Sequence, residues 1–271
     1  MIGERNALGE YVRARRDLVT PDQVGLPVSG VRRVPGLRRE EVALLAGISA
    51  DYYLRLEQGR DRNPSPQVLE AIARALRLDD DATAYLLSLA ADRPRRRRPR
   101  AEDVPEGMVK LVATLPLPAF VESRHLDVLA ANPLATALSP RLAVGVNRLR
   151  AAFLDPAERT LYPDWERSVA SLVAGFRETV GTATDDPRFA ELVDGLAEVS
   201  PDFVRLWARH DVSVCEGAPV RLDHPRVGGL VLNRERLGVS GGRGQKLVIY
   251  HPDPGTDSAA KLALLTAAAA A

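Results

Sequence analysis

Asp51, Tyr52 and Arg55 stand within about one turn of each other, just after the tripeptide Gly47-Ile48-Ser49. Their side chains suit the edges of base pairs. A guanidinium matches the two acceptors of guanine, a carboxylate accepts from the cytosine amino group, and apolar ring edges meet a thymine methyl. Arg38 and Arg39 precede this stretch, and Arg60, Arg62 and Asn63 follow it. Such groups suit phosphate oxygens, contacts that set register and affinity rather than sequence. Local roles compete with these. Arg38 can pair with the acids around it, Glu57 can cap or pair locally, and one of the adjacent Tyr52 and Tyr53 must face a core.

The elements that would position these groups are short helices. Ser49 is an N-cap for a helix from Ala50 to about Gln58, closed by Gly59. Before it, about Arg38 to Ala46 forms a helix with Val42, Leu45 and Ala46 inward, and Gly47 ends it in a left-handed cap. A helix, a short Gly-containing turn and a second helix make a helix-turn-helix. Leu8, Tyr11, Val12 and Arg15 share one side of an earlier helix, Leu8 to about Leu18. Ser65-Pro66 opens a fourth helix with Val68, Leu69, Ile72, Ala75 and Leu76 as its apolar stripe. Asp79 to Asp81 open a fifth with Tyr85, Leu86 and Leu89 inward, the acids suiting the helix dipole.

Leu37-Arg38-Arg39-Glu40-Glu41-Val42-Ala43-Leu44-Leu45-Ala46-Gly47-Ile48-Ser49 resembles the first half of the lambda-repressor/Cro-like (XRE-type) domain. Tyr53-Leu54-Arg55-Leu56-Glu57-Gln58-Gly59 is similar to that family's closing segment. Asn63-Pro64-Ser65-Pro66 with Leu69, Ile72, Ala73 and Leu76 is similar to its fourth helix. The resemblance covers residues 8–90. It implies double-stranded DNA as partner, with Ser49, Ala50, Asp51, Tyr52 and Arg55 at the major groove and Arg38, Arg39, Arg60, Arg62 and Asn63 around it. Arg39 stands where the family usually carries Gln, which favours phosphate over base. The segment between the first two helices is longer than the family's. Its Arg32-Arg33 reads either as a basic arm toward phosphates or a minor groove, or as a surface loop.

Charge is divided unevenly along the 271 residues. Residues 1–100 hold 19 Arg and no Lys against 14 acidic residues, a net of +5, whereas the remainder nets −4. A basic first third suits an anionic partner. Arg93-Pro94-Arg95-Arg96-Arg97-Arg98-Pro99-Arg100 is expected to be an extended linker, since Pro interrupts helices and like charges repel. One cysteine, Cys215, excludes a disulfide framework and Cys-pair metal sites. No apolar run approaches the ~18 residues of a membrane helix, and no signal peptide is visible. A cytoplasmic, nucleoid-associated protein is the expectation, with no metal and no cofactor.

Beyond the linker the pattern is mixed. Ala119–Ser123 and Leu126–Ala131 read as strands joined at Arg124-His125, and Asn132-Pro133 opens a helix. Trp165, Val169, Leu172, Val173 and Phe176 share one helix face; Phe189, Leu192, Val193 and Leu196 share another. Strands return at Gly229–Arg234 and Lys246–Tyr250 around a Gly-rich turn that lacks a phosphate loop's Gly-Lys-Ser/Thr ending. A last helix starts near Ser258.

Asp127-Val128-Leu129-Ala130-Ala131-Asn132-Pro133, Asn147-Arg148 before Phe153-Leu154-Asp155, Asp164-Trp165-Glu166, Ser200-Pro201-Asp202-Phe203, His210-Asp211-Val212 and His224-Pro225-Arg226-Val227-Gly228 resemble the MmyB-like ligand-binding domain over residues 105–265. That resemblance implies a PAS-like sheet with a helical insertion and a cavity for a small apolar or fatty-acid-like ligand. Trp165, Phe176, Phe203 and Trp207 are candidate walls, because apolar ligands need concave aromatic surfaces; each also fits an ordinary core. His210, Asp211 and His224 suit either a ligand carboxylate or strand-end hydrogen bonding.

The expected architecture is an all-α five-helix helix-turn-helix DNA-binding domain (1–91), an Arg/Pro-rich linker (92–104) and an α+β PAS-like domain with a helical insertion (105–271). Together these imply a sequence-specific transcriptional regulator sensing a small ligand. A two-fold homodimer is expected, because one recognition helix reads few bases. The alternative is an interaction module or antitoxin-like DNA-binding protein without a small-molecule ligand. An enzyme is not expected: no HExxH, nucleophile elbow or Cys–His pairing appears.

Overall fold

The computed structural model describes residues 6–27, 34–61, 63–90, 103–180, 186–212, 219–242 and 244–269. Arg32, Arg33, Arg62, Cys215 and the arginines of the linker lie outside the described residues. The chain divides into two compact units. One holds the N-terminal helices and, among the described residues, 186 and 204–212; the other holds the remainder.

The first unit begins with α1 (Ala7–Leu18), where Asn6 caps by accepting from the Gly9 N–H at 3.0 Å. α2 (Arg39–Ala46) follows, with Arg38 as N-cap residue and the Glu41 carboxylate accepting the Arg38 N–H at 2.6 Å. Gly47 ends α2 at φ +67°, a conformation costing a residue with a Cβ about 1–2 kcal/mol. α3 (Ala50–Glu57) starts at Ser49, whose hydroxyl accepts from the Tyr52 N–H at 3.1 Å. α4 (Pro66–Ala75) has Ser65 as cap and Pro66 at its first position; α5 (Asp80–Ala90) completes the set. Tyr11, Val12, Leu37, Val42, Tyr53, Leu56, Leu69, Ile72 and Leu86 make one buried cluster. Each fully buried aliphatic side chain of this kind stabilises by about 1.5–3 kcal/mol. Tyr53, not Tyr52, is the inward tyrosine. Gly9 is required by proximity: a Cβ there would lie 2.2 Å from the Glu57 carbonyl oxygen.

Val212 joins the same cluster at 6% exposure, and Asp211 accepts from Arg15 Nη1 at 2.7 Å. Residues far along the chain therefore complete the first unit.

The second unit opens with α6 (Glu106–Thr114), β1 (Ala119–Glu122) and β2 (Val128–Ala131). The second strand starts later than its apolar run suggests. Leu126 sits at φ +65°, and the Ser123 hydroxyl accepts from the N–H groups of His125 and Asp127 at 3.1 Å each, so a turn extends through Asp127. Helices α7 (Pro133–Leu138), α8 (Arg148–Leu154), α9 (Pro156–Leu161), α10 (Trp165–Val180), α11 (Pro187–Val199) and α12 (Pro201–Ala208) intervene, the residues of α12 from Val204 onward belonging to the first unit. Three of these start at short polar caps, Asn132, Asn147 and Asp155. Then come β3 (Val220–His224), β4 (Gly228–Gly238), β5 (Lys246–His251) and α13 (Asp257–Ala269).

The five strands form one antiparallel sheet in the order β2-β1-β5-β4-β3. The domain is thus α+β, with α7 to α12 inserted between β2 and β3. Strand alternation sorts the residues by face. Ala119, Val121 and Leu247 cluster with Val112 of α6, whereas Phe120, Val248 and Tyr250 cluster with Ala135, Leu138, Leu262 and Leu265. Among the described residues no helix is long and apolar enough to cross a membrane.

Candidate functional site

α3 presents the polar groups singled out in the sequence. Ser49, Ala50 and Asp51 are exposed, whereas Tyr52 and Arg55 are half-buried. Arg55 ion-pairs with Asp51 one turn earlier, and its guanidinium lies 5.7 Å from the Tyr52 ring centre. Arg38, Arg60 and Asn63 are exposed.

Arg39 is held from below. Its Nε donates to Glu57 Oε2 at 2.6 Å, while Arg16 Nε donates to Glu57 Oε1 at 2.7 Å and Arg16 Nη1 donates to the Leu37 carbonyl at 2.8 Å. Burial alone would lower the Arg16 pKa, but the hydrogen bond and charge of Glu57 reverse this and leave it raised. Glu57 therefore ties α1, α2 and α3 together, and Arg39 hangs on this frame with its side chain 43% exposed. An exposed guanidinium anchored at Nε keeps other donors for an anion.

In the second unit a cavity of about 310 Å³ opens among α8, α9, α10, β3 and β4. Leu142, Ala151, Val169, Leu172 and Val220 supply its apolar wall. Trp165 lines it too, fixed by its Nε1 donating to the Ala152 carbonyl at 3.0 Å and by the Arg159 guanidinium 3.8 Å from its ring centre. The other three candidate aromatics are not among the lining residues. Phe176 packs on Phe189, Phe203 meets Phe153 edge-on at 5.4 Å, and Trp207 is half-buried in the last turn of α12.

The polar lining includes Arg148, Glu158, Tyr162 and Arg234. Glu158 accepts from the Ser139 hydroxyl at 2.7 Å, and burial raises its pKa. Burial also pushes the Tyr162 hydroxyl well above its ordinary range. Arg148 ion-pairs with the buried Glu122 and lies 5.0 Å from the Phe120 ring centre. Arg236 reaches the same carboxylate at 3.5 Å, and burial lowers its pKa. The register explains the gathering. Arg234 is opposite Tyr250, while Arg236 and Phe120 are both opposite Val248, so these side chains share a face.

Glu158, Tyr162 and Arg234 were not singled out as site residues from the sequence, and Arg148 entered only within the Asn147-Arg148 motif of the resemblance. One signal was present: along β4 the inward positions run Leu230, Leu232, Arg234, Arg236, apolar and then basic. His224 serves its strand end, with Nε2 3.0 Å from the Ala137 carbonyl and Nδ1 accepting from the Arg226 N–H at 3.2 Å. Among the described residues no group of three or more His, Cys, Asp or Glu could hold a metal ion.

Two family models match the chain. A helix-turn-helix domain matches residues 7–86, and the MmyB-like transcription regulator ligand binding domain matches residues 104–265. No curated protein matches it.

Proposed function

This chain belongs to the family of the MmyB-like transcription regulator ligand binding domain, and from that premise we propose a sequence-specific regulator that binds double-stranded DNA through α3. Its reach along the chain is read as a DNA-binding domain at 1–91, a linker at 92–104 and a sensor at 105–271. The pairing of a helix-turn-helix with a ligand-binding domain in one polypeptide carries the reading. The sheet order β2-β1-β5-β4-β3 supports a PAS-like sensor. The cavity beside Trp165 supports a small, fatty-acid-like ligand with an apolar body.

In this reading Ser49, Ala50, Asp51, Tyr52 and Arg55 enter the major groove, and Arg38, Arg39, Arg60, Arg62 and Asn63 hold phosphates, as an XRE-type domain would use them. The protein acts in the cytoplasm, at the nucleoid, as a homodimer on a two-fold site. Ligand control requires different ligand affinities in the DNA-bound and free forms.

The test is selection of bound sequences from random duplexes by the full-length protein, followed by titration of the winner. A two-fold site bound with clear preference is expected, and Arg55→Ala should cost about 1–3 kcal/mol of discrimination at one base pair. Binding without sequence preference would overturn the proposal.

A further inference from the structure

β2 and β3 are the two edges of the sheet, and they differ. The β2 edge is closed by the chain itself: Val128 donates to the Val146 carbonyl at 2.9 Å and accepts from the Gly145 N–H at 2.8 Å. On β3 the direction of the backbone groups follows from β4. Val231 donates its N–H to the Ser258 hydroxyl, and the Gly229 carbonyl accepts from Lys261 Nζ, both at 2.9 Å. These two residues therefore turn their backbone polar groups away from β3. They are opposite Arg221 and Asp223, and opposite residues of an antiparallel pair exchange both bonds or neither. Arg221 and Asp223 thus direct N–H and C=O outward from the sheet, and among the described residues nothing bonds to them. Such a row is a template for another strand.

The side chains say which strand fits. Arg221 and Asp223 are both exposed, on the face away from the buried Leu222 and His224. Neither has a hydrogen bond or ion pair among the described residues. Edge charges of one sign would keep a second β3 away; here the signs differ. A two-fold axis at Leu222 sets Arg221 of each copy opposite Asp223 of the other. The outward backbone groups then meet in pairs that exchange both bonds, with opposite charges side by side on one face. Pro219 and Pro225 bound the strand and fall opposite each other in that register, which confines pairing to Val220–His224. We infer that β3 is the self-association surface of this protein, two copies joining edge to edge, antiparallel, about Leu222. Such a contact is isologous, as a two-fold dimer requires. Arg221 also borders the cavity, so the second copy's strand lies beside the ligand site. This rests on the homodimer reading and adds the surface and its register.

The experiment is sedimentation equilibrium of the full-length protein and its variants at one pH and salt. The wild type is expected to dimerise. Arg221→Asp sets two carboxylates opposite each other and Asp223→Arg sets two guanidiniums, twice in each dimer, so each variant should dimerise about tenfold or more weakly. The double variant Arg221→Asp/Asp223→Arg sets opposite charges together again and should restore the dimer at unchanged net charge. Asp223→Pro removes an outward donor while leaving the bonds to β4, so it should also give monomer; it decides the matter if the charge variants do not fold. A dimer that survives the single variants and the proline, or one that the double variant fails to restore, would overturn the inference while leaving the homodimer reading in place. A wild type that stays monomeric at every concentration overturns the inference too. Whether the homodimer reading falls with it is then read from the number of copies on the selected duplex: two keep that reading, one removes it.

Discussion

Arg55 and Asp51 form an ion pair one helical turn apart on α3, with side chains 43% and 75% exposed. An exposed i,i+4 pair stabilises by only about 0.3–0.5 kcal/mol, whereas a bidentate arginine–guanine contact is worth about 1–3 kcal/mol of discrimination. On the proposed groove placement a base contact would outweigh this pair, and the pair itself costs little to break.

Asp51→Ala should thus leave thermal stability within about 0.5 kcal/mol. It also removes a negative charge from the face proposed to meet DNA, so affinity for unrelated duplex DNA should rise. Fluorescence anisotropy on selected and scrambled duplexes checks both. Lower affinity on scrambled DNA would contradict the placement of Asp51 at the groove.

Glu57 gives a sharper stability prediction. Its carboxylate is 2% exposed and serves Arg16, itself 7% exposed. Glu57→Gln leaves that buried guanidinium only the exposed Asp17 carboxylate, 2.8 Å away, and should cost about 3 kcal/mol, the low end for a broken buried pair. Arg39→Ala removes a half-exposed partner and should cost no more than about 1 kcal/mol. Urea denaturation of the two variants should separate them clearly. If Arg39 also meets phosphate, its removal lowers the salt slope of DNA binding by about one unit.

Glu158 makes stability depend on pH. Burial raises its pKa in the folded protein, so the folded state binds this proton more tightly than the unfolded chain does. The stability so contributed is complete below the ordinary glutamate value of about 4.3 and is lost as pH rises through the folded pKa. Glu158→Gln keeps an acceptor for Ser139 and should flatten that loss. Denaturation midpoints from acid to neutral pH should therefore diverge, with the variant more stable at the upper end. Parallel curves would contradict the buried-carboxyl assignment.

Val212 and Asp211 tie a late stretch of chain into the first unit. Val212→Ala should destabilise that unit by about 1–2 kcal/mol through the cavity it leaves. Asp211→Ala breaks a partly exposed pair with Arg15, side chains 31% and 22% exposed, and should cost about 1 kcal/mol or less. Hydrogen exchange of amides in α1 reports each directly. No change in α1 protection for Val212→Ala would show that the segment is dispensable.

Much of the first unit was legible in the sequence because its boundaries are set by local chemistry. Gly47 needs a left-handed backbone, Ser49 and Ser65 cap the helices that follow them, and Pro66 suits a first helical position. These signals act within four residues and survive without any tertiary partner. β3 was not legible. Five alternating residues, Val220–His224, are too few to distinguish a strand from a loop. The inward arginines of β4 escaped for a related reason, since a charged residue in an alternating pattern reads as facing solvent.

The linear order of residues determined the helix-turn-helix, the exposed polar face of α3 and the mixed character of the second unit, all through caps, breakers and periodicity. The tertiary structure decided what lines the cavity. Arg148, Tyr162 and Arg234 come from α8, the residue after α9, and β4, and strand register with helix packing brings them to one wall. It also made Trp165 a lining residue while leaving Phe176 and Phe203 in the core. Aromatic residues on amphipathic helices carry the same local pattern in either role; only the neighbouring elements determine which of them meets a void.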